Sequence, residues 1–527
     1  MFPQRVERRQ LLCGVYVWLA ICGLMLGTTA LAELQNVEIG GSIEVRGNYY
    51  TPFWDPDGAS PRIPPFFLPG RYIGPFDTWS PITADSGRGH SLGWIEQRTT
   101  LHADASFTDD VRAYIELDNI DDWGEDFRSD YITGADFVTP TDDDLEVYQA
   151  YIEANNMFDT PLRLRVGRQE LIFGSEWLVG NNFYWDPLTY LSFDAIRLTY
   201  ATDAFSLDAF WSKLAERFQA EEDGDVDFYG LYFTYNRFES ITLDAYWFYL
   251  RDAAGLNDTN FVWMVESLED LVGLDDYDVT EIHTLGLRLA GESGNFDFEA
   301  EAAYQWGNAG SVGNGFSAYL YGDDDAAYDA WAAQCSLGYT FDLKWSPYVY
   351  VGAEYYGGED NRDLSFWEWL NPFSRPQASV SFNRLFSSWE VDWFLDGSAM
   401  SNVWIGKAGV SASPTDAIEV GLDLVYFEVL EAFDTPAAFR LGRFSVPIAP
   451  NLSFWTREGD DDLGYQTILW LNYAYSEDLL FEVGWAHMFT GGAFEDGAFV
   501  DLNGLGFFGG TDADDADYLW FGTTLEF

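Results

Sequence analysis

Arg98, Arg163, Arg165, Arg197, Arg288 and Lys407 all fall on the polar side of segments in which apolar and polar residues alternate. Such alternation sends successive side chains to opposite faces of a strand, so the six share the face turned away from the apolar one. Most of them come from neighbouring segments in the first third of the chain and would form a basic ladder along one wall. Guanidinium stays charged and grips a carboxylate through two parallel hydrogen bonds, so a ladder of this kind favours anionic solutes. Arg168, beside Gly167 at a strand end where alternation fixes its facing less firmly, completes the candidate selectivity residues. The same polar faces carry Glu44, Glu96, Asp104, Glu116, Glu153, Asp208, Asp244, Glu299, Glu301 and Glu482. Under a second reading these acids pair with the basic residues and the ladder only braces the wall. The two readings are compatible, and the sequence leaves both open.

Other chemistry is sparse. His90, His102, His283 and His487 are the only imidazoles, and none sits in a zinc-binding or nucleophile-elbow pattern. His487, beside Phe489 on its face, reads as an interfacial side chain rather than half of a catalytic pair. No enzyme activity, cofactor or metal centre is expected. The net charge is −60, and no basic patch offers itself to nucleic acid. The acid surplus is concentrated in runs: Asp121-Asp122, Asp142-Asp143-Asp144, Glu221-Glu222-Asp223, Asp275-Asp276, Asp323-Asp324-Asp325, Asp460-Asp461-Asp462 and residues 512–517. These read as solvated loops or, alternatively, as carboxylates bridging calcium to anionic surface glycans. Asp55-x-Asp57-Gly58 and Asp223-x-Asp225-x-Asp227 resemble calcium loops without their full ligand spacing. Cys13 and Cys22 lie in an N-terminal segment expected to be removed, which leaves Cys335 alone and rules out an intrachain disulfide or a cysteine-based metal site.

The elements that position these residues are legible from the alternation itself. At the C-terminus Leu519, Phe521, Thr523, Leu525 and Phe527 share one face, against Trp520, Gly522, Thr524 and Glu526. Phe521, Leu525 and Phe527 are read as marks of a barrel-closing strand of the kind that the outer-membrane barrel-assembly machinery recognises. Tight turns near 108–110, 156–161, 202–204, 237–240, 291–295, 342–345, 413–416 and 476–478 alternate with long segments such as 51–90, 255–281, 306–331, 356–398 and 490–517. Short turns at one end and long loops at the other characterise an up-and-down barrel in an outer membrane, and the count comes to roughly eighteen strands, an even number. Stretches 379–386 and 439–447 are placed in loops, with an extra strand pair as the alternative. The 31 Tyr, 22 Trp and 42 Phe suit two interfacial girdles. Arg5, Arg8 and Arg9, the apolar run 11–26 and Ala30-Leu31-Ala32 predict a signal peptide over 1–32, with the barrel filling 33–527. The expected fold is therefore all-β: a transmembrane antiparallel up-and-down β-barrel in the lipid of a bacterial outer membrane.

Within residues 163–198, Val166-Gly167-Arg168-Gln169-Glu170-Leu171 is followed by Gly174, Leu178-Val179-Gly180, Trp185 and Phe193-Asp194-Ala195-x-Arg197-Leu198. With Tyr148-Gln149-Ala150-Tyr151-Ile152 upstream, this stretch resembles the alginate export family of outer-membrane barrels. The resemblance covers about a tenth of the chain. It implies a passive channel for a polar, anionic saccharide or polysaccharide, working with a periplasmic export complex that supplies direction. Trp177 and Leu191 stand where the family tends to carry Arg, which weakens the case for a uronate polymer more than the case for the fold. Two alternatives remain: a general porin for uptake of small solutes, and a structural or adhesive surface barrel with calcium-binding acidic loops. Pore conductance, and whether long loops fold into the lumen, separate them.

Overall fold

The computed structural model describes residues 34–51, 91–123, 145–181, 188, 190–216, 225–253, 279–309, 327–358, 379–389, 391–395, 401–431, 438–441, 444–447, 461–494, 499–500, 507–508 and 515–527. The expected signal peptide over 1–32 lies outside them, as do most of the acidic runs, His90, Trp185 and the Asp55–Asp57 pair.

Among the described residues eighteen antiparallel strands form one closed sheet. They are β1 (Asn36–Tyr50), β2 (Leu92–Thr108), β3 (Val111–Asp122), β4 (Glu146–Ala154), β5 (Leu162–Gln169) and β6 (Phe193–Ala201). The wall continues through β7 (Phe205–Ala215), β8 (Val226–Phe238), β9 (Ile241–Asp252), β10 (Thr280–Ser293), β11 (Phe296–Ala309) and β12 (Ala327–Thr340). It ends with β13 (Tyr348–Tyr356), β14 (Val403–Thr415), β15 (Ile418–Val429), β16 (Asp462–Ala474), β17 (Leu479–Thr490) and β18 (Ala516–Glu526). Each strand pairs with its sequence neighbours. β18 returns to β1 with Ser42 opposite Glu526 and Tyr50 opposite Tyr518, so no edge is left unpaired.

Facing follows the period of two. In β10 Leu285, Leu287 and Leu289 are exposed on the outer surface while Thr284 is fully buried inside. Ile39 is 72% exposed and Leu287 65% exposed, values that are stable only against hydrocarbon. On β18 Leu519, Phe521, Leu525 and the following Phe527 face outward, while Tyr518 and Trp520 face in. Aromatic girdles ring both ends. At the long-loop end Tyr249 stacks on His283 at 4.4 Å, His283 on Trp306 at 5.3 Å and Trp331 on Tyr355 at 4.2 Å. At the short-turn end Phe205 packs near Phe233 and Phe296 on Tyr339. Their amphipathic rings sit at headgroup depth, fixing the barrel's height in the bilayer.

The two stretches that the sequence places in loops, 379–386 and 439–447, lie off the barrel wall. Ser379–Val380 pairs in parallel with the start of β12 before the chain enters the lumen, and Ala438–Leu441 with Phe444–Pro447 forms a separate hairpin. Neither adds a strand to the wall.

Candidate pore constriction

Two segments turn inward and meet inside the barrel. The first, 170–181, follows β5; the second, 381–389, lies between β13 and β14. Leu171, Phe173, Trp177, Leu178 and Val179 crowd the first, and Phe382, Leu385 and Phe386 the second, all buried. The lumen wall facing them is itself apolar: Phe210, Phe228, Tyr232, Tyr246 and Phe248 point in from β7, β8 and β9. Water leaves both surfaces when they close, at about 1.5–3 kcal/mol for each large side chain buried. Phe173 lies 4.8 Å from the Tyr232 ring, and Phe386 lies 4.9 Å from Phe228 and 5.1 Å from Phe193.

The backbones then pair across the lumen. Phe386 N–H donates to Leu178 O at 2.9 Å, Gly180 N–H to Phe386 O at 2.8 Å and Ser388 N–H to Glu176 O at 3.0 Å. From the wall Gln305 closes a second pair, donating to Asn383 O and accepting from Asn383 N–H, both at 2.7 Å. Gly174 makes the turn at φ +60°, and a Cβ there would sit 2.7 Å from Tyr232 Oη.

A buried carboxylate ties both segments to β13. Glu354 accepts from Lys407 Nζ at 2.6 Å, from Trp389 Nε1 at 2.8 Å and from Tyr356 Oη at 2.8 Å. Tyr356 Oη in turn accepts from Trp177 Nε1 at 2.7 Å. Arg384 stacks over the Tyr356 ring at 4.3 Å and donates to Trp389 O at 2.6 Å. Trp177, standing where the resemblance expects a basic group, is thus a buried indole in the joint between the segments. Leu191 packs partly buried against the same apolar cluster.

The basic residues divide by partner. Arg98 grips Asp118 bidentately at 3.1 and 2.9 Å, with Glu44 at 3.7 Å and the Tyr190 ring 3.8 Å away. Arg165 meets Glu153 at 2.7 Å and Arg197 meets Asp208 at 2.8 Å. Arg288 is outnumbered, with Asp244 at 2.8 Å, Glu299 at 3.1 Å and Glu301 at 3.8 Å. Lys407 is held in the Glu354 joint. Arg163 donates to Thr199 Oγ1 at 3.3 Å and makes no salt bridge among the described residues; Glu153 and Asp208 attract it from their pairs with Arg165 and Arg197, which repel it.

Arg168 departs from the expected set. It shares the outer face with Val166, is 45% exposed, and pairs with Asp194 at 2.9 Å. At this rim position it cannot line the lumen. Lys213, also at the outer rim, draws in Asp225, with Asp227 at 3.5 Å, so a lysine sits where the calcium-like spacing would hold a cation. No cluster of three or more metal-ligating side chains occurs among the described residues. His487 faces outward and contacts Asp517 at 2.8 Å.

Sequence reasoning passed over Arg46 and Arg384. Arg46 lies on the inward face of β1, 3.1 Å from Glu482, on the polar side that alternation gives it, though outside the candidate set. Arg384 lies outside any regular strand, where no period marks its facing.

Solved structures that resemble the chain share low identity with it. OpdO of Pseudomonas aeruginosa shares 11% identity over 93% of this chain and 97% of that one, with a TM-score of 0.47. OccAB4 of Acinetobacter baumannii shares 11% over 93% and 98%, with a TM-score of 0.46. OccK8 (OprE) of Pseudomonas aeruginosa shares 12% over 93% and 98%, also with a TM-score of 0.46. No curated protein matches the chain. Residues 84–507 match the family described as alginate export, and the chain, a channel-type barrel of the bacterial outer membrane, belongs to that family.

Proposed function

We propose that this channel passes a polar, anionic saccharide passively through a lumen narrowed by the two inward segments. The observation that carries the reading is Arg163, a lumen guanidinium with no carboxylate in salt-bridge contact, since its neighbours Glu153 and Asp208 are already paired with Arg165 and Arg197. A moving carboxylate can take the place that a wall acid takes at the other Arg residues, and the bidentate geometry suits it. The acidic loops weigh less: exposed charges are screened within roughly 8 Å at physiological salt, whereas charges in a constriction act on a partly dehydrated solute. Direction would come from a gradient or a periplasmic partner, since a wall of strands supplies no energy.

Reconstitution into planar bilayers tests this. The wild-type pore should favour anions, and Arg163→Gln should lower the anion-to-cation permeability ratio at least about twofold, a shift on the order of 0.4 kcal/mol. A cation-preferring pore that ignores this substitution sinks the anionic cargo.

One observation favours a general porin instead. Arg98, Arg165, Arg197 and Arg288 each have a carboxylate partner, which mutes the ladder's field. Liposome swelling with sugars of increasing length separates the two readings, because a general porin sorts solutes by size alone.

A further inference from the structure

Across the barrel from Arg163, inward residues of β1 and β13–β18 and the segment 391–393 enclose a cavity of about 450 Å³. That volume is within the ~300–1,000 Å³ common for small-ligand sites. Its walls are indoles. Trp470 on β16 stands opposite Gly421 on β15, and a Cβ on that glycine would fall 2.2 Å from the Trp470 ring. The ring therefore occupies the space over the glycine, where a side chain would displace it, and stays partly exposed. Trp520 repeats the device over Gly484, where a Cβ would fall 2.0 Å from the ring. Trp393, carried in by the inward segment, packs on Trp520 at 4.9 Å and is itself partly exposed. Two partly exposed indoles, Trp470 and Trp393, thus border one space.

The polar lining completes the pattern. The Asn472 side chain has no hydrogen-bond partner among the described residues. Arg46 is matched by Glu482 at 3.1 Å and Lys407 by Glu354 at 2.6 Å, so both cations are already compensated. Asp423 accepts from Tyr350 Oη at 2.8 Å and from Trp470 Nε1 at 2.7 Å, with no cation paired to it among the described residues. The balance is slightly negative. It repels a carboxylate and accepts hydroxyl donors.

We infer that this cavity is a lumen subsite for a neutral pyranose ring, seated by its apolar C–H face on Trp470 and bordered by Trp393, with its hydroxyls meeting Asn472, Asp423 and Glu482. A pyranose has an apolar face and a hydroxyl rim, and the cavity offers a flat apolar platform with polar groups at its edge. The inference rests on the reading that saccharides traverse the lumen and differs from it in the charge of the unit bound. The Arg163 wall and the tryptophan wall then act on different parts of a passing chain.

The test uses the full-length channel in planar bilayers, with maltohexaose as neutral probe and a linear trigalacturonate as anionic probe, each titrated for block of the open-channel current. Maltohexaose should block the wild-type pore. Trp470→Ala should weaken that block about tenfold, the loss expected from removing roughly 1.4 kcal/mol of ring contact. Trp470→Phe should keep most of it, and Arg163→Gln should leave it unchanged. Unaltered ion conductance in the Trp470 and Trp393 variants shows that the barrel has formed. Failure of maltohexaose to block, or block of Trp470→Ala and Trp393→Ala as strong as that of the wild type, overturns the subsite. Trigalacturonate block that depends on Trp470 more strongly than maltohexaose block overturns its neutral character. A subsite that responds as expected in a pore indifferent to Arg163→Gln would remove the anionic reading alone; saccharide permeation without tryptophan dependence would remove the subsite alone.

Discussion

Glu354 concentrates the energetics of the constriction in one side chain. It is almost fully buried, and it receives a lysine, an indole and a phenol from three different parts of the chain. Removing one partner of a buried ion pair strands the other charge and costs about 3–5 kcal/mol. Glu354→Gln should therefore destabilise the folded barrel by about 3 kcal/mol, read from the urea midpoint of refolding into detergent micelles. Lys407→Met in the same chain should recover most of that, because the stranded ammonium is gone. A double variant no better than the single one would show that Glu354 acts through Trp389 and Tyr356 rather than Lys407. Alternation assigns Lys407 to an inward face, but its role in anchoring a loop is invisible in sequence. Trp389 lies outside the strands, where no period reports its position. Arg168 fails for a related reason: at the end of β5 it keeps the outward parity of Val166, and a glycine neighbour says nothing about facing.

Strands and inward segments differ in how much the sequence discloses. A strand between lipid and lumen must change polarity at every residue, so β10 and β18 can be read directly from their leucines and aromatics. The segment 170–181 obeys no period. Leu171, Phe173, Trp177, Leu178 and Val179 are buried against the lumen wall, and their apolar partners Phe210, Tyr232 and Phe248 occupy inward positions that a water-filled pore would make polar. Those inward aromatics were the available signal that something packs inside. Gly174 gives the element its test. A side chain at φ +60° costs roughly 1–2 kcal/mol, and a Cβ 2.7 Å from Tyr232 Oη adds a clash. Gly174→Val should loosen the first segment and raise single-channel conductance while leaving the far-ultraviolet signature of the strands intact. Unchanged conductance would mean that the second segment alone sets the narrowing.

At the scale of the whole molecule, closure and facing are one constraint. Pairing β18 to β1 removes the last sheet edge, and it also fixes which residues meet lipid, since a shift of one residue would invert every facing around the ring. The net charge of −60 adds a second constraint: acids are tolerated in the loops and lumen, while the lipid belt is left to apolar residues. Two positions three residues apart on β18 put both constraints to one test. Phe521 lies near mid-strand, is 50% exposed and points outward. Thr524 points inward, opposite Glu44 on β1. An arginine facing hydrocarbon near the bilayer midplane costs about 2–4 kcal/mol, so Phe521→Arg should lower the folding stability in lipid by that amount and reduce the yield of inserted barrel. Thr524→Arg places the same charge in the lumen beside a carboxylate and should fold close to wild type. The contrast isolates facing from charge, because both variants carry the same new guanidinium on the same strand. Equal loss at the two positions would point to β18 pairing itself as the sensitive step, and a reversed order would mean that the register of the closing seam is displaced by one residue.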